Sequence, residues 1–179
     1  LGYFAALYLR VTKEVKNKLG TGYFDDDARM EKLDVIFANR YLQAYFDYQE
    51  NKKVTQAWET TFEKSKDESL IVLQHLLLGM NAHINLDLGI AAAEISTADT
   101  IDDLKNDFNR INEILSSLVN EVQDNLSNIW PILKWLLKKL NGSEDFIVDF
   151  SMKIARDGAW KFAKEFAGVS IENKTQAIV

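Results

Sequence analysis

The sequence has no cysteine, one proline, two histidines and eight glycines in 179 residues. Without cysteine there is no disulfide, thiol nucleophile, iron–sulfur cluster or Cys-based zinc site. His75 and His83 alone cannot build a multi-histidine metal cage. So few prolines and glycines leave the chain with few breakers, which favours long helices. There is no Gly-x-Ser-x-Gly elbow, dinucleotide-binding glycine fingerprint or P-loop, so those routes to catalysis have no support. A basic surplus is lacking too: 21 Lys and Arg stand against 27 Asp and Glu, a net charge of −6. Nucleic acid, which needs a basic stripe, is therefore not an expected partner.

Hydrophobic residues make up 47% and charged residues 27%, the balance of a folded globular chain and not of a disordered one. The length fits one domain, expected over residues 1–168 with a C-terminal tail over 169–179. Leu70 to Ile95 is long enough to cross a bilayer, but it carries Gln74, His75, Asn81, His83, Asn85, Asp87 and Glu94. That polar load is costly in lipid, so the segment reads as a core helix and no membrane span is expected. The opening LGYFAALYLR lacks the basic-then-apolar order of a secretory signal, which makes a cytoplasmic location the expectation.

Helical spacing recurs along the chain, and no strand pattern competes with it. A first helix is predicted from Gly2 to Leu19, with Phe4, Leu7, Tyr8, Val11 and Val15 on one face, ending at Gly20-Thr21-Gly22. Asp25-Asp26-Asp27 then stands where a helix N-terminus favours negative charge. A second helix runs to about Glu50 with Leu33, Phe37, Tyr41, Leu42, Tyr45 and Phe46 expected inside. A third, Val54 to Lys64, presents Trp58 and Phe62. Thr100-Ile101-Asp102-Asp103 resembles a capping box opening a helix that carries Leu104, Phe108, Ile111, Leu115, Leu118 and Val122. Trp130-Pro131 begins a short helix closed by Asn141-Gly142. Ser143 is expected to cap a last one to Ala167, with Phe150, Ile154, Phe162 and Phe166 inside. The expected fold is all-α: a single-domain bundle of six or seven helices around a buried central helix.

Residues three, four or seven apart share a helix face. On the central helix that rule puts His83, Asp87 and Glu94 on one stripe, and Gln74, Asn81 and Asn85 on the opposite one. His75 falls between the stripes and two turns from His83, so the two histidines do not converge on one ion. A buried polar group without a partner costs about 1–3 kcal/mol, so each of these needs one. Structural hydrogen bonds to neighbouring helices are expected for the Gln74/Asn81/Asn85 line. An i,i+4 His–carboxylate pair has two uses: fixing an imidazole tautomer for acid–base work, or supplying two metal ligands. Gly79 allows the close approach of a packing helix.

The run Leu77-Leu78-Gly79-Met80-Asn81-Ala82-His83-Ile84-Asn85-Leu86-Asp87-Leu88 resembles the signature of an uncharacterised bacterial family, domain-of-unknown-function family 5995. Phe4 to Tyr8, Val35 to Tyr41, Asp107 to Asn112 and Ala155 to Trp160 fit the same family. The resemblance implies an all-α fold and no established activity. Its stretches nominate further residues. Asn39 shares a face with Val35, Leu42 and Phe46 and is expected to be buried. Arg40 has Asp34, Asp47 or a carboxylate of another helix as partner. Asp107 with Arg110, and Arg156 with Trp160, are spaced for local contacts.

Two functional readings follow. One is an enzyme or small-molecule-binding pocket beside the central helix. His83 and Asp87 would be its catalytic pair, and Asn39, Arg40, Asn81, Asn85 and Arg110 its substrate-binding residues. The cofactor is unknown; were a divalent metal bound, His83 and Asp87 would be its ligands, though the Glu-x-x-His of di-iron bundles is missing. Asp102 to Asp107 superficially matches a magnesium–diphosphate motif, but first-turn caps explain the same acids. The other reading is a helical interaction or scaffold domain whose polar cluster only fixes helix register. A cavity reaching His83 favours the first, and a dry, fully satisfied interior the second.

Overall fold

In the computed structural model, residues 2–111, 113–115, 117–118 and 143–169 are described. They form helices α1 (Gly2–Lys18), α2 (Asp27–Gln49), α3 (Gln56–Lys64), α4 (Val72–Met80) and α5 (Leu88–Glu94). A π-helical segment, Asn81–Asp87, joins α4 to α5 without a break. A 3-10 turn, Ile101–Leu104, leads into α6 (residues 105–111), and α7 covers Ser143–Ala167. There is no strand among the described residues, and the fold is all-α. The helix predicted to begin at Trp130-Pro131, and the tail beyond 169, lie outside these residues.

Local chemistry sets the boundaries. Gly20 and Gly22, both at φ +76°, turn the chain between α1 and α2 in a backbone region that costs glycine little. The Asp26 side chain caps α2 by accepting the Arg29 N–H at 2.9 Å, the role expected of the acidic run. Thr100 differs from expectation. Its hydroxyl accepts the Thr97 N–H at 2.9 Å and makes no cap bond, so a tight turn replaces the capping box.

Helices α1, α2, α3 and α7 surround the rod made by α4, the π segment and α5. Gln74 to Glu94 is long and apolar enough to cross a membrane, and 67% of its apolar window is buried inside the protein. Glycines set two close approaches to this rod. A Cβ on Gly79 would stand 2.6 Å from the Phe4 ring of α1, and one on Gly89 would stand 2.9 Å from the Ala159 carbonyl of α7. With Ala91, Ala92 and Ala93 fully buried, α5 meets α7 almost backbone to backbone. One apolar cluster gathers Val15, Met30, Leu88, Leu104, Phe108 and Trp160; a second gathers Phe4, Tyr41, Trp58, Phe62 and Leu76.

Two inward faces are narrower than helical spacing predicts. On α2, Met30, Leu33, Phe37 and Tyr41 are buried, whereas Leu42, Tyr45 and Phe46 are exposed, Phe46 at 57%. The α2 stripe that contains Asn39 therefore faces out, and Asn39 is exposed where burial was expected. Ile154 on α7 is exposed as well.

Candidate functional site

Asp87 is the hub of the central cluster. It is fully buried, and both of its oxygens are engaged. Oδ1 accepts from Arg40 Nε of α2 at 2.9 Å. Oδ2 accepts from Trp58 Nε1 of α3 at 2.8 Å and faces His83 Nδ1 at 3.1 Å. Three elements thus converge on one carboxylate, which is how a buried charge becomes tolerable. The π segment supplies both His83 and Asp87, and such wide turns recur at functional sites.

An ionised carboxylate only accepts, so the His83 proton sits on Nδ1 and Nε2 is left with a lone pair. Nε2 is buried with no hydrogen-bond partner among the described residues. The ring is caged by aromatics: Phe37 stacks on it at 3.7 Å, and Tyr8 meets it edge-on at 4.4 Å. Phe4, Tyr41 and Trp58 stand within 6.0 Å. Burial pushes the His83 pKa below its ordinary value, against the upward pull of Asp87. Burial thus favours the neutral imidazole.

Two spaces flank this pair. Beside His83 lies an apolar cavity of about 30 Å³, lined by Phe4, Tyr8, Phe37, Met80 and Ile84 among others. On the Asp87 side, an open cleft of about 740 Å³ runs between α2 and the start of α3, lined by Asn39, Arg40, Lys53, Trp58, Asp87 and Glu94 among others. Glu94 is half exposed at its edge, with Oε1 3.9 Å from Arg40 Nη1.

The residues nominated from sequence therefore divide. His83, Asp87 and Arg40 come together, and Asn39 stands beside Arg40 and Asp87 on the cleft wall. Asn81 and Asn85 do not. Both are exposed, and Asn85 Nδ2 donates to Asn81 Oδ1 on the same helix face. Gln74, also exposed, accepts the Ile71 N–H at 2.9 Å and caps α4. The line expected to bond to neighbouring helices is a solvent face whose bonds stay within its own rod.

Arg110 belongs to a second cluster. Asp107, fully buried on α6, accepts the backbone N–H of Asp25 at 2.7 Å and of Asp26 at 3.1 Å. Arg110 Nη1 donates to Asp107 at 3.0 Å and to Asp25 at 2.6 Å. Arg29 reaches the same carboxylate at 3.4 Å. This clamp holds the α1–α2 turn onto α6, so Asp107 has no capacity left for a magnesium ion. Asp102 is paired with Lys164 of α7 at 2.8 Å. Among the described residues, no group of three or more His, Asp or Glu side chains is placed to hold a metal ion.

Sequence reasoning missed the indole of Trp58 as a donor to Asp87. The signal was available: a tryptophan on an inward face must satisfy its N–H.

The fold and the site define an all-α helical protein organised around a buried aspartate that gathers Arg, Trp and His. A family of unknown function, DUF5995, matches residues 1–179, and the chain belongs to it. No curated protein and no solved structure matches the chain.

Proposed function

We propose that this protein binds a small molecule in the cleft between α2 and α3, with the Arg40 guanidinium as the recognition group. One observation carries the reading: the buried Asp87 cluster forms the floor of a cleft of about 740 Å³, within the size range of small-molecule sites. Asp87 itself has both oxygens occupied, so its part is to hold Arg40 in place. Trp58 and His83 in turn fix the carboxylate. His83 and Asp87 as an acid–base pair have weaker support, because the free Nε2 lies inside the aromatic cage and not on the cleft. The exposed Val35, Leu42 and Phe46 along α2 favour, as a second reading, an interaction surface over the same face.

A fragment screen by amide and indole NMR tests the proposal. Binding at the cleft is expected to shift the Trp58 indole N–H and the signals of Asn39, Arg40 and Lys53 in a saturable way. A screen whose only saturable shifts map away from these residues, or that yields none, would sink it.

A further inference from the structure

Resting on that cleft reading, we infer that the ligand is a monocarboxylate with an apolar body, its carboxylate bound by the outer edge of Arg40. The guanidinium is fixed by one edge only: Nε donates to Asp87 at 2.9 Å. No hydrogen bond from Nη1 or Nη2 is formed among the described residues, and the side chain retains 19% of its exposure at the cleft. A guanidinium held this way presents its remaining N–H pair in the fork that matches a carboxylate.

Glu94 shows what that edge attracts. Its Oε1 stands 3.9 Å from Nη1, an ion-pair contact too long for a hydrogen bond. An incoming carboxylate would take the place that Glu94 approaches but does not fill. Lys53, on the cleft lining, has no ion pair among the described residues and adds a second positive charge. Asp47, also on the lining, is already engaged by Gln43 at 2.9 Å and Lys52 at 3.6 Å.

The same carboxylates limit the ligand's charge. With Asp87, Glu94 and Asp47 set against Arg40 and Lys53 the lining is net negative, which repels a dianionic phosphate more strongly than a monoanion held at the open guanidinium edge. The rest of the wall is apolar. Ile36, Leu42, Phe46 and Val54 line it, and Leu42 and Phe46 are exposed without contributing to the core. A hydrocarbon or aromatic body covering them would remove apolar surface from water.

The test is calorimetric titration of the full chain with octanoate, octylamine and octanol, which share a body and differ in the head. Octanoate is expected to bind, and octanol to bind at least tenfold more weakly. Glu94→Gln removes the competing carboxylate from an exposed position. It is expected to tighten octanoate several-fold, and Arg40→Lys to weaken it at least tenfold. Preference for octylamine, or octanoate affinity unchanged or lowered by Glu94→Gln, overturns the carboxylate assignment while leaving the cleft as a binding site. If other fragments shift the cleft signals and octanoate does not, the assignment again fails alone. If nothing shifts them, the cleft reading fails with it.

Discussion

The Phe37 ring lies flat on the His83 imidazole, with centroids 3.7 Å apart and planes 6° from parallel. A charged imidazole in that position would have lost its water on every side and gained a single carboxylate that Arg40 and Trp58 already occupy. The expected outcome is that His83 titrates below the ordinary imidazole value, with the proton of its neutral form on Nδ1. Nitrogen-detected NMR of the ring checks this. A titration midpoint near the ordinary 6.5 would contradict it. Because the folded pKa is depressed, His83 contributes stability at neutral pH that fades as pH falls below the unfolded value.

Asp107 makes a second measurable claim. Its carboxylate is the common acceptor of two consecutive backbone N–H groups and two arginines. Asp107→Ala leaves those donors without their partner and is expected to cost about 3–5 kcal/mol, the range for breaking a buried charge cluster. Urea denaturation gives the loss. Hydrogen exchange gives its location, with the Asp25 and Asp26 amides losing protection first. A cost under about 1 kcal/mol would mean that the clamp contributes little.

Much of this was legible in the sequence, and the misses have physical causes. Helical spacing located α1, α2, α3 and the central rod, because their apolar faces are tied to the 3.6-residue period. It placed His83 and Asp87 together because i,i+4 residues meet on a helix face. It gave no sign of the π segment, since hydrogen-bond register leaves no mark on composition. The mean hydropathy of the rod suggested burial all round, yet Gln74, Leu77, Asn81 and Asn85 form its solvent face. Apolar composition likewise predicts an inward face for Leu42 and Phe46 of α2, although both line an open cleft. Hydrophobicity reports a preference and not a location. The Arg40–Asp87 and Asp107–Asp25 contacts join distant parts of the chain, and periodicity along one helix cannot choose such partners.

Gly79 offers a test of packing around the same site. Its added Cβ would meet the Phe4 ring at 2.6 Å, well inside van der Waals contact. Phe4 is buried against His83, Tyr41 and Trp58, so it has little room to retreat. Gly79→Ala is expected to cost about 1–3 kcal/mol from overpacking, despite alanine's better helix propensity. Pairing it with Phe4→Leu should recover part of that loss, giving a double-mutant cycle with a favourable coupling term. Strict additivity of the two substitutions would show that the clash is relieved elsewhere.

Asp34 predicts a pH dependence of the opposite sign to that of His83. Burial raises its pKa from 3.8 to about 6, and its negative charge also reaches the buried Tyr8 phenol of α1. A carboxyl whose folded pKa lies above its unfolded value holds its proton more tightly when folded. Its unfavourable contribution is therefore absent below the unfolded value and grows as pH rises from about 4 to about 6. Two pH units correspond to about 3 kcal/mol, and partial solvent access reduces that to about 1–2 kcal/mol. Asp34→Asn keeps the shape and removes the charge. The variant is expected to be more stable than the parent by that amount at pH 7.5 and to lose most of the advantage by about pH 4. Urea denaturation of both proteins across this range isolates the effect, because the other titrating groups cancel in the difference. An advantage that does not change with pH would place the cost of Asp34 in its polarity and not in its charge.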